Sequence, residues 1–296
     1  MINNYALLDK DFLYKLDSYP HRTVYARITL LTNEEEPIQR VEGKITSGSV
    51  NIDGASAIRR TCSLTMVGQV LETFDSHWVL YNKFKLEVGI ENHIDDKYDD
   101  IIWFKQGIFV FTSLSLSIQA ANFTINLQGK DKGCLLNGEV GGVIAASTDF
   151  GKFEQYTTLS SGEIVREEKD VLIQDVIKNI LHIHGNEDLS KIFINDLEEY
   201  GLELLEFNSD KYLAIRSLNG EIQDISLRKT PASNKDKITY ENYTYGEAVG
   251  YRKTALVYPG ELVANVGETI ISILDKIKNM FSGFEYFYDV DGNFIF

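Results

Sequence analysis

A period of two runs through the sequence as far as Gly133, and no other feature limits the possible folds so sharply. In Arg59 to Gly68, RRTCSLTMVG, Cys62, Leu64 and Met66 share one side of an extended chain. Thr61, Ser63 and Thr65 share the other. Successive side chains of a strand point to opposite faces, so this alternation marks a strand with one buried face. The stretch before it, SGSVNIDGASAI, supplies Asn, Asp, Gly and Ser and predicts a hairpin turning near Asp53-Gly54. The same alternation appears in Val24, Ala26, Ile28 and Leu30, and in Phe84, Leu86, Val88 and Ile90. It recurs in Leu114, Leu116 and Ile118, and in Phe123, Ile125 and Leu127. With WFKQGIFVFT these segments make about six or seven strands, each apolar on one face only. Such strands bury that face economically in a sheet curled on itself, or in two small sheets packed together. The expected core includes Val24, Ile28, Cys62, Leu64, Leu86, Val88, Leu114, Leu116, Ile125 and Leu127.

The texture changes after GKDKGCLLNGEVGGV. A short helix is expected earlier, over Asp9–Asp17 and stopped near Pro20. From Ala145 to Glu168 the composition is polar and rich in Gly, Ser and Thr, which predicts a connection with little regular structure. KDVLIQDVIKNILHIHG then carries Leu172, Ile173, Val176, Ile177, Ile180 and Leu181 at helical spacing and ends at Gly185. DKYLAIRS and EIQDISLRK, joined through Leu218-Asn219-Gly220, predict a hairpin. After the loop PASNKDK, GETIISILDKIKNMF predicts a second amphipathic helix, and FEYFYDVDGNFIF a hairpin turning at Val290 to Asn293. The expected class is therefore β-rich α+β. A small N-terminal β-barrel occupies residues 1–140 and a connecting segment with helix and hairpin 141–235. Residues 236–296 form a helix and hairpin that open a second β domain. Phe294 and Phe296 fall on one face of the last strand. They are expected to need cover from a continuation of the polypeptide or from another chain.

Charge narrows the function classes. Against 44 Asp and Glu stand 29 Lys and Arg, a formal net charge of −15. That balance argues against a nucleic-acid grip, which needs a basic stripe, and against docking on an anionic membrane. The N-terminus has no basic start followed by an apolar core, and no apolar run is long enough to span a bilayer, so folding in a cytoplasm is expected. Cys62 and Cys134 fit buried space-filling thiols better than a disulfide.

Catalytic signatures are missing from the sequence. There is no nucleophile-elbow, phosphate-loop or dinucleotide pattern. The histidines are His21, His77, His93, His182 and His184. The last two, two apart on a helix, point about 200° apart and do not share a metal there. DVDGN, Asp289 to Asn293, lacks the spacing of a calcium loop and reads as a tight turn. The acidic run Glu91 to Asp100 reads as a solvated loop, and a second acidic cluster spans Asn195 to Phe207. No catalytic, cofactor-binding or metal-binding residue is expected.

In order along the chain, GKITSGSVNIDGASAIRRTCSLTMVG, YNKFKLEVGIEN and IIWFKQGIFVFTSLSLSIQAANFTINLQGKDKGCLLNGEVGG resemble the N-terminal part of the tail hub proteins of bacteriophages infecting Gram-positive bacteria. ALVYPGELVANVGETIISILDKIKNMFSGFEYFYDVDGNFIF is similar to the next block of those proteins. The resemblance is carried by NIDG with its two arginines, by an aromatic-Gly-Phe strand and by GKDK after the last strand. It is weakest between about Thr148 and Lys253. It implies a non-enzymatic virion protein, assembled in the host cytoplasm. The hub would be a homotrimeric ring at the distal end of the tail tube, between a tube or distal tail protein and a spike, fibre or tail lysin. DNA would only pass through the lumen, for which acidic walls suit, and no membrane insertion or cofactor is implied. A different class is a receptor- or carbohydrate-binding module at the tail tip. Tyr240, Tyr243, Tyr245 and Tyr251, with Tyr258 beyond, are the one cluster that would favour it. A cell-wall hydrolase is the third class, and no acidic pair or metal cluster singles itself out for it.

Overall fold

The computed structural model describes residues 18, 23–69, 74–91, 100–162, 164–194, 202–207, 210–216, 222–227, 252–254, 261–281 and 284–296. The expected helix over Asp9–Asp17, the tyrosine cluster, PASNKDK, the Asn219-Gly220 turn, His21 and His93 lie outside them. So do residues 92–99 and 195–201 of the acidic clusters. The chain divides into two compact units. The first comprises Met1–Leu135 with Phe287–Phe294, and the second Leu136–Tyr286 with Ile295–Phe296.

Antiparallel strands make the first unit: β1 (Val24–Leu31), β2 (Pro37–Ile52), β3 (Arg60–Gln69), β4 (Lys83–Glu91), β5 (Ile101–Gln119) and β6 (Asn122–Asp131). They are ordered β1-β2-β3-β6-β5-β4, and β1 also bonds to β4, so the sheet closes on itself. The expected hairpin is β2–β3, with Val50 opposite Cys62 and Ile52 opposite Arg60. Inside the barrel Ile28, Cys62, Leu64, Leu86, Ile125 and Leu127 are buried, and Leu114 and Leu116 pack partly buried against them. Aromatic rings fill the centre. Phe84 stacks on Phe111 at 4.1 Å between centroids and on Phe109 at 5.7 Å, and Trp78 lies 5.8 Å from Phe111.

Strand β5 does not keep one phase. Its pairing shifts between Leu86 and Glu87 of β4, leaving Gln106 as the extra residue, and again between its own Phe111 and Ser113. Each bulge inserts one residue and swaps the faces that follow. Trp103 therefore faces out, where its ring meets Arg27, while Phe109 and Phe111 face in. Beyond the second bulge Leu114 and Leu116 face in. Ile118, expected inside with them, is exposed.

The second unit has strands β7 (Thr148–Asp149), β8 (Lys152–Thr158) and β9 (Ile164–Asp170), helix α1 (Ile173–Asn179), and the short β10 (Ile192–Phe193). After these come β11 (Leu202–Phe207), β12 (Asp210–Arg216), β13 (Ile222–Leu227), β14 (Arg252–Thr254), β15 (Val263–Ala264) and α2 (Ile270–Lys278). Strands β12 and β13 form the expected hairpin within a sheet ordered β13-β12-β11-β14. Contrary to the expected irregular connection, β8 and β9 pair from Lys152↔Asp170 to Thr158↔Ile164. The sequence there lacks apolar alternation. Its pairing is set by the turn, where Gly162 adopts φ +81° and its amide donates to Leu159 O at 2.9 Å.

Helix α1 buries Ile173, Val176 and Ile177, then widens to a π-helical turn over Ile180–His184. Gly185 closes that turn, its amide donating to Ile180 O at 3.1 Å. The left-handed residue is Asn186, at φ +52°, and not Gly185. Glycine is needed at 185 for space. A Cβ there would lie 2.6 Å from Leu181 O and 3.0 Å from Leu136 Cδ2. Helix α2 starts at Thr269, whose hydroxyl accepts from the Ser272 amide at 3.2 Å, and buries Ile270, Ile273, Leu274 and Ile277.

The chain ends in the short strands β16 (Phe287–Tyr288) and β17 (Phe294–Ile295). Phe294 and Phe296 are 0% and 1% exposed, so the expected need for outside cover is overturned. Phe294 meets the Tyr288 ring edge-on at 5.5 Å. Phe296 packs against Phe281, Phe284 and Tyr286, and its amide donates to Phe193 O at 2.9 Å.

Candidate functional site

The outer surface of the barrel has two different faces, and strand register builds both. On β2, β1, β4 and β5 one cross-strand row runs Glu42, Arg27, Glu87, Lys105. Arg27 Nε donates to Glu42 Oε1 at 2.7 Å, and its Nη1 lies 3.7 Å from Glu87 Oε2. The guanidinium also sits 3.9 Å from the centre of the Trp103 ring. Arg27 thus pairs with the carboxylates on both neighbouring strands of this row, whereas Lys105 at its end pairs outside the sheet, with Asp291 Oδ1 at 2.6 Å.

On β2, β3, β6 and β5 the corresponding rows carry no carboxylate. One reads Ser49, Ser63, Gln128, Ser113, and the next Ser47, Thr65, Asn126, Ser115. Their side chains are exposed apart from Thr65, whose hydroxyl donates to Asn126 Oδ1 at 2.8 Å. Lys130 continues β6 at one end of this face. In a chain of net charge −15 this is a surface of neutral donors and acceptors on rigid backbone. Another protein surface approaches it without like-charge repulsion, and its hydroxyls cost little side-chain entropy to order.

The residues that carried the sequence resemblance meet in a third place. Arg60, from the two arginines, and Asp131 and Lys132, from GKDK, are all buried in the first unit. Asp131 accepts from the amides of Arg60 at 2.7 Å and Gly133 at 2.9 Å. Burial pushes its carboxyl above the ordinary carboxylate range, and those hydrogen bonds with the Arg60 charge oppose the shift. Lys132 Nζ lies 2.5 Å from Glu35 Oε1, which Lys83 also approaches at 3.2 Å. Both buried cations reach the last hairpin. Arg60 Nη1 donates to Tyr288 O at 2.7 Å, and Lys132 Nζ to Gly292 O at 2.9 Å. Asp289 shapes that hairpin's turn by accepting from the amides of Asp291 and Asn293. DVDGN is thus a turn built by its own first aspartate.

The remaining candidates are dispersed. His77 Nδ1 faces Asp75 Oδ1, His182 Nδ1 faces Glu187 O at 2.8 Å, and His184 meets the Phe150 ring edge-on. Among the described residues no group of three or more His, Cys, Asp or Glu is placed to hold a metal ion. Cys62 and Cys134 are buried and form no disulfide. The first unit also carries two open clefts of about 560 and 530 Å³, one beside Phe74 and Phe123 and one beside Lys44 and Gln106. Sequence reasoning missed Glu35 as a partner of this cluster. It lies in the β1–β2 turn at φ +69°, and nothing local in sequence ties it to Lys132.

No protein-family model matches the chain, and no curated protein matches it in sequence. Among solved structures, the chain is similar to one in the Francisella PdpA-VgrG complex, lidded, at 11% identity and a TM-score of 0.30. That match covers 69% of this chain and 38% of that one. It is similar to a chain of the lidless PdpA-VgrG complex at 12% identity and a TM-score of 0.29, over 72% of this chain and 47% of that one. This chain spans less than half the length of either.

Proposed function

We propose that this chain is a structural, non-enzymatic component of a bacteriophage tail. It forms a homotrimeric hub ring at the distal end of the tail tube and carries a spike, fibre or lysin below. Its place is the virion, after assembly in the host cytoplasm. The reading is supported by the order of NIDG, the two arginines and GKDK, which the fold gathers in one unit. The observation that carries it is the pair of carboxylate-free rows on the outer side of β2, β3, β6 and β5, Ser49–Ser63–Gln128–Ser113 and Ser47–Thr65–Asn126–Ser115, in a chain of net charge −15. A surface of that kind suits side-by-side assembly of an acidic protein better than catalysis or a nucleic-acid grip.

Light scattering on the purified protein, alone and mixed with its tail-tube protein, tests the reading. A mass of three 33.6 kDa chains, and rings in electron micrographs, are the expected results. A monomer under both conditions, or a ring whose lumen is lined by Lys and Arg, would overturn it.

A further inference from the structure

The chain leaves the first unit at Leu135 and contributes to it again only at Phe287–Phe294. What holds that returning hairpin is specific in kind. Arg60 and Lys132, both buried, grip main-chain carbonyls, those of Tyr288 and Gly292. Ile108 and Val110 alternate with the inward Phe109 and Phe111, so they point outward from the barrel, yet both are buried. Gly292 lies over Ile108 so closely that an added Cβ would stand 2.6 Å from its Cδ1, and its φ is +78°. At the rim Lys105 Nζ meets Asp291 Oδ1 at 2.6 Å, and the Arg59 guanidinium sits 4.3 Å from the Phe287 ring.

We propose that Phe287–Phe294 is a strap that completes the barrel unit, so that the outer surface of β5 is finished only when the chain has returned from the second unit. Two costs enforce this. Without the strap, Ile108 loses the cover that Gly292 gives it, and two desolvated cations each lose an acceptor. Because both cations read carbonyls, the strap is recognised chiefly by its backbone path. Gly292 is the position where a side chain would deny that path. The strap opens together with the β5 segment beneath it, while the far side of the barrel stays closed.

Hydrogen exchange followed by mass spectrometry on the full chain tests this, comparing wild type with Gly292→Val and with the milder Lys105→Ala. In wild type the amides of 287–294 and of 108–111 should both be protected. Gly292→Val should raise exchange about tenfold or more in both segments together, with 39–45 on the opposite strand β2 unchanged, as expected of one local opening unit. Lys105→Ala removes only the rim contact and should produce a smaller rise in the same two segments. It decides the matter if the first variant does not fold. The proposal is overturned if the wild-type strap exchanges like exposed chain or if neither segment responds in the variants. It fails equally if the strap opens while 108–111 keeps its wild-type protection.

Discussion

Asp131 and Cys62 are both buried acids, and each makes a pH dependence that can be measured. Asp131 has its folded pKa above the ordinary value, so the folded state binds the proton more tightly than the unfolded chain. The resulting stabilisation is complete below the ordinary carboxylate range and is lost as pH rises through the raised value. Asp131→Asn should remove that slope from urea-unfolding free energies measured across the weakly acidic range. Asp131→Ala should lower stability instead, because the Arg60 and Gly133 amides lose their acceptor, at about 1–3 kcal/mol for each group left unsatisfied. Burial pushes the Cys62 thiol up to about 12. Its contribution is present below the ordinary thiol range and lost as pH rises from there to about 12. A thiol reagent should label Cys62 in native protein only at the rate of unfolding, and labelling at the rate of an exposed thiol would contradict this burial.

At the scale of elements, caps and rings carry the testable consequences. Helix α2 is short, and the Thr269 hydroxyl satisfies one of its free amides. Glu268 and Lys276 pair beside it at 3.0 Å, which holds the Glu268 carboxyl below its usual range. Thr269→Ala should lower the stability of the second unit by about 1 kcal/mol, read from its denaturant midpoint. Phe84 belongs to the barrel's aromatic stack and is completely buried. Phe84→Ala should cost the first unit about 3–5 kcal/mol, since the closed barrel leaves little room for neighbours to collapse into the cavity.

The whole molecule is acidic, so the placement of its neutral surface matters more than its total charge. Ser115 and Asn126 are cross-strand partners in one of the carboxylate-free rows. The double variant Ser115→Glu/Asn126→Glu puts two negative charges there without touching the core. If that face is a seam in the proposed ring, the variant should shift the assembled mass towards monomer, most strongly at low salt. Arg27 and Glu87 lie on the opposite, internally paired face. Exchanging those two residues should leave the assembled mass unchanged. An assembly indifferent to the glutamates would move the seam elsewhere on the molecule.

Strand identity was legible in the sequence wherever one face is buried, because a period of two survives any tertiary arrangement. Cys62, Leu64 and Met66, or Ile125 and Leu127, declare their face within five residues of chain. The two amphipathic helices were legible for the same reason at a period of 3.6. Phase within a long strand was not. Trp103, Phe109 and Leu114 of β5 are assigned in or out by two bulges whose positions are fixed by pairing with β4 and β6. Pairing of β8 and β9 was hidden as well, since their sequences carry no apolar alternation. Least legible was the cluster of Glu35, Arg60, Asp131 and Lys132 with the hairpin at Tyr288 and Gly292. Those residues are far apart in sequence and carry no shared periodicity. In the hairpin, Arg60 and Lys132 meet main-chain carbonyls, which have no residue identity to read. Local alternation therefore determined which segments are strands and which side they bury, whereas closure, phase and the capture of the last hairpin were decided by contacts that form only in three dimensions.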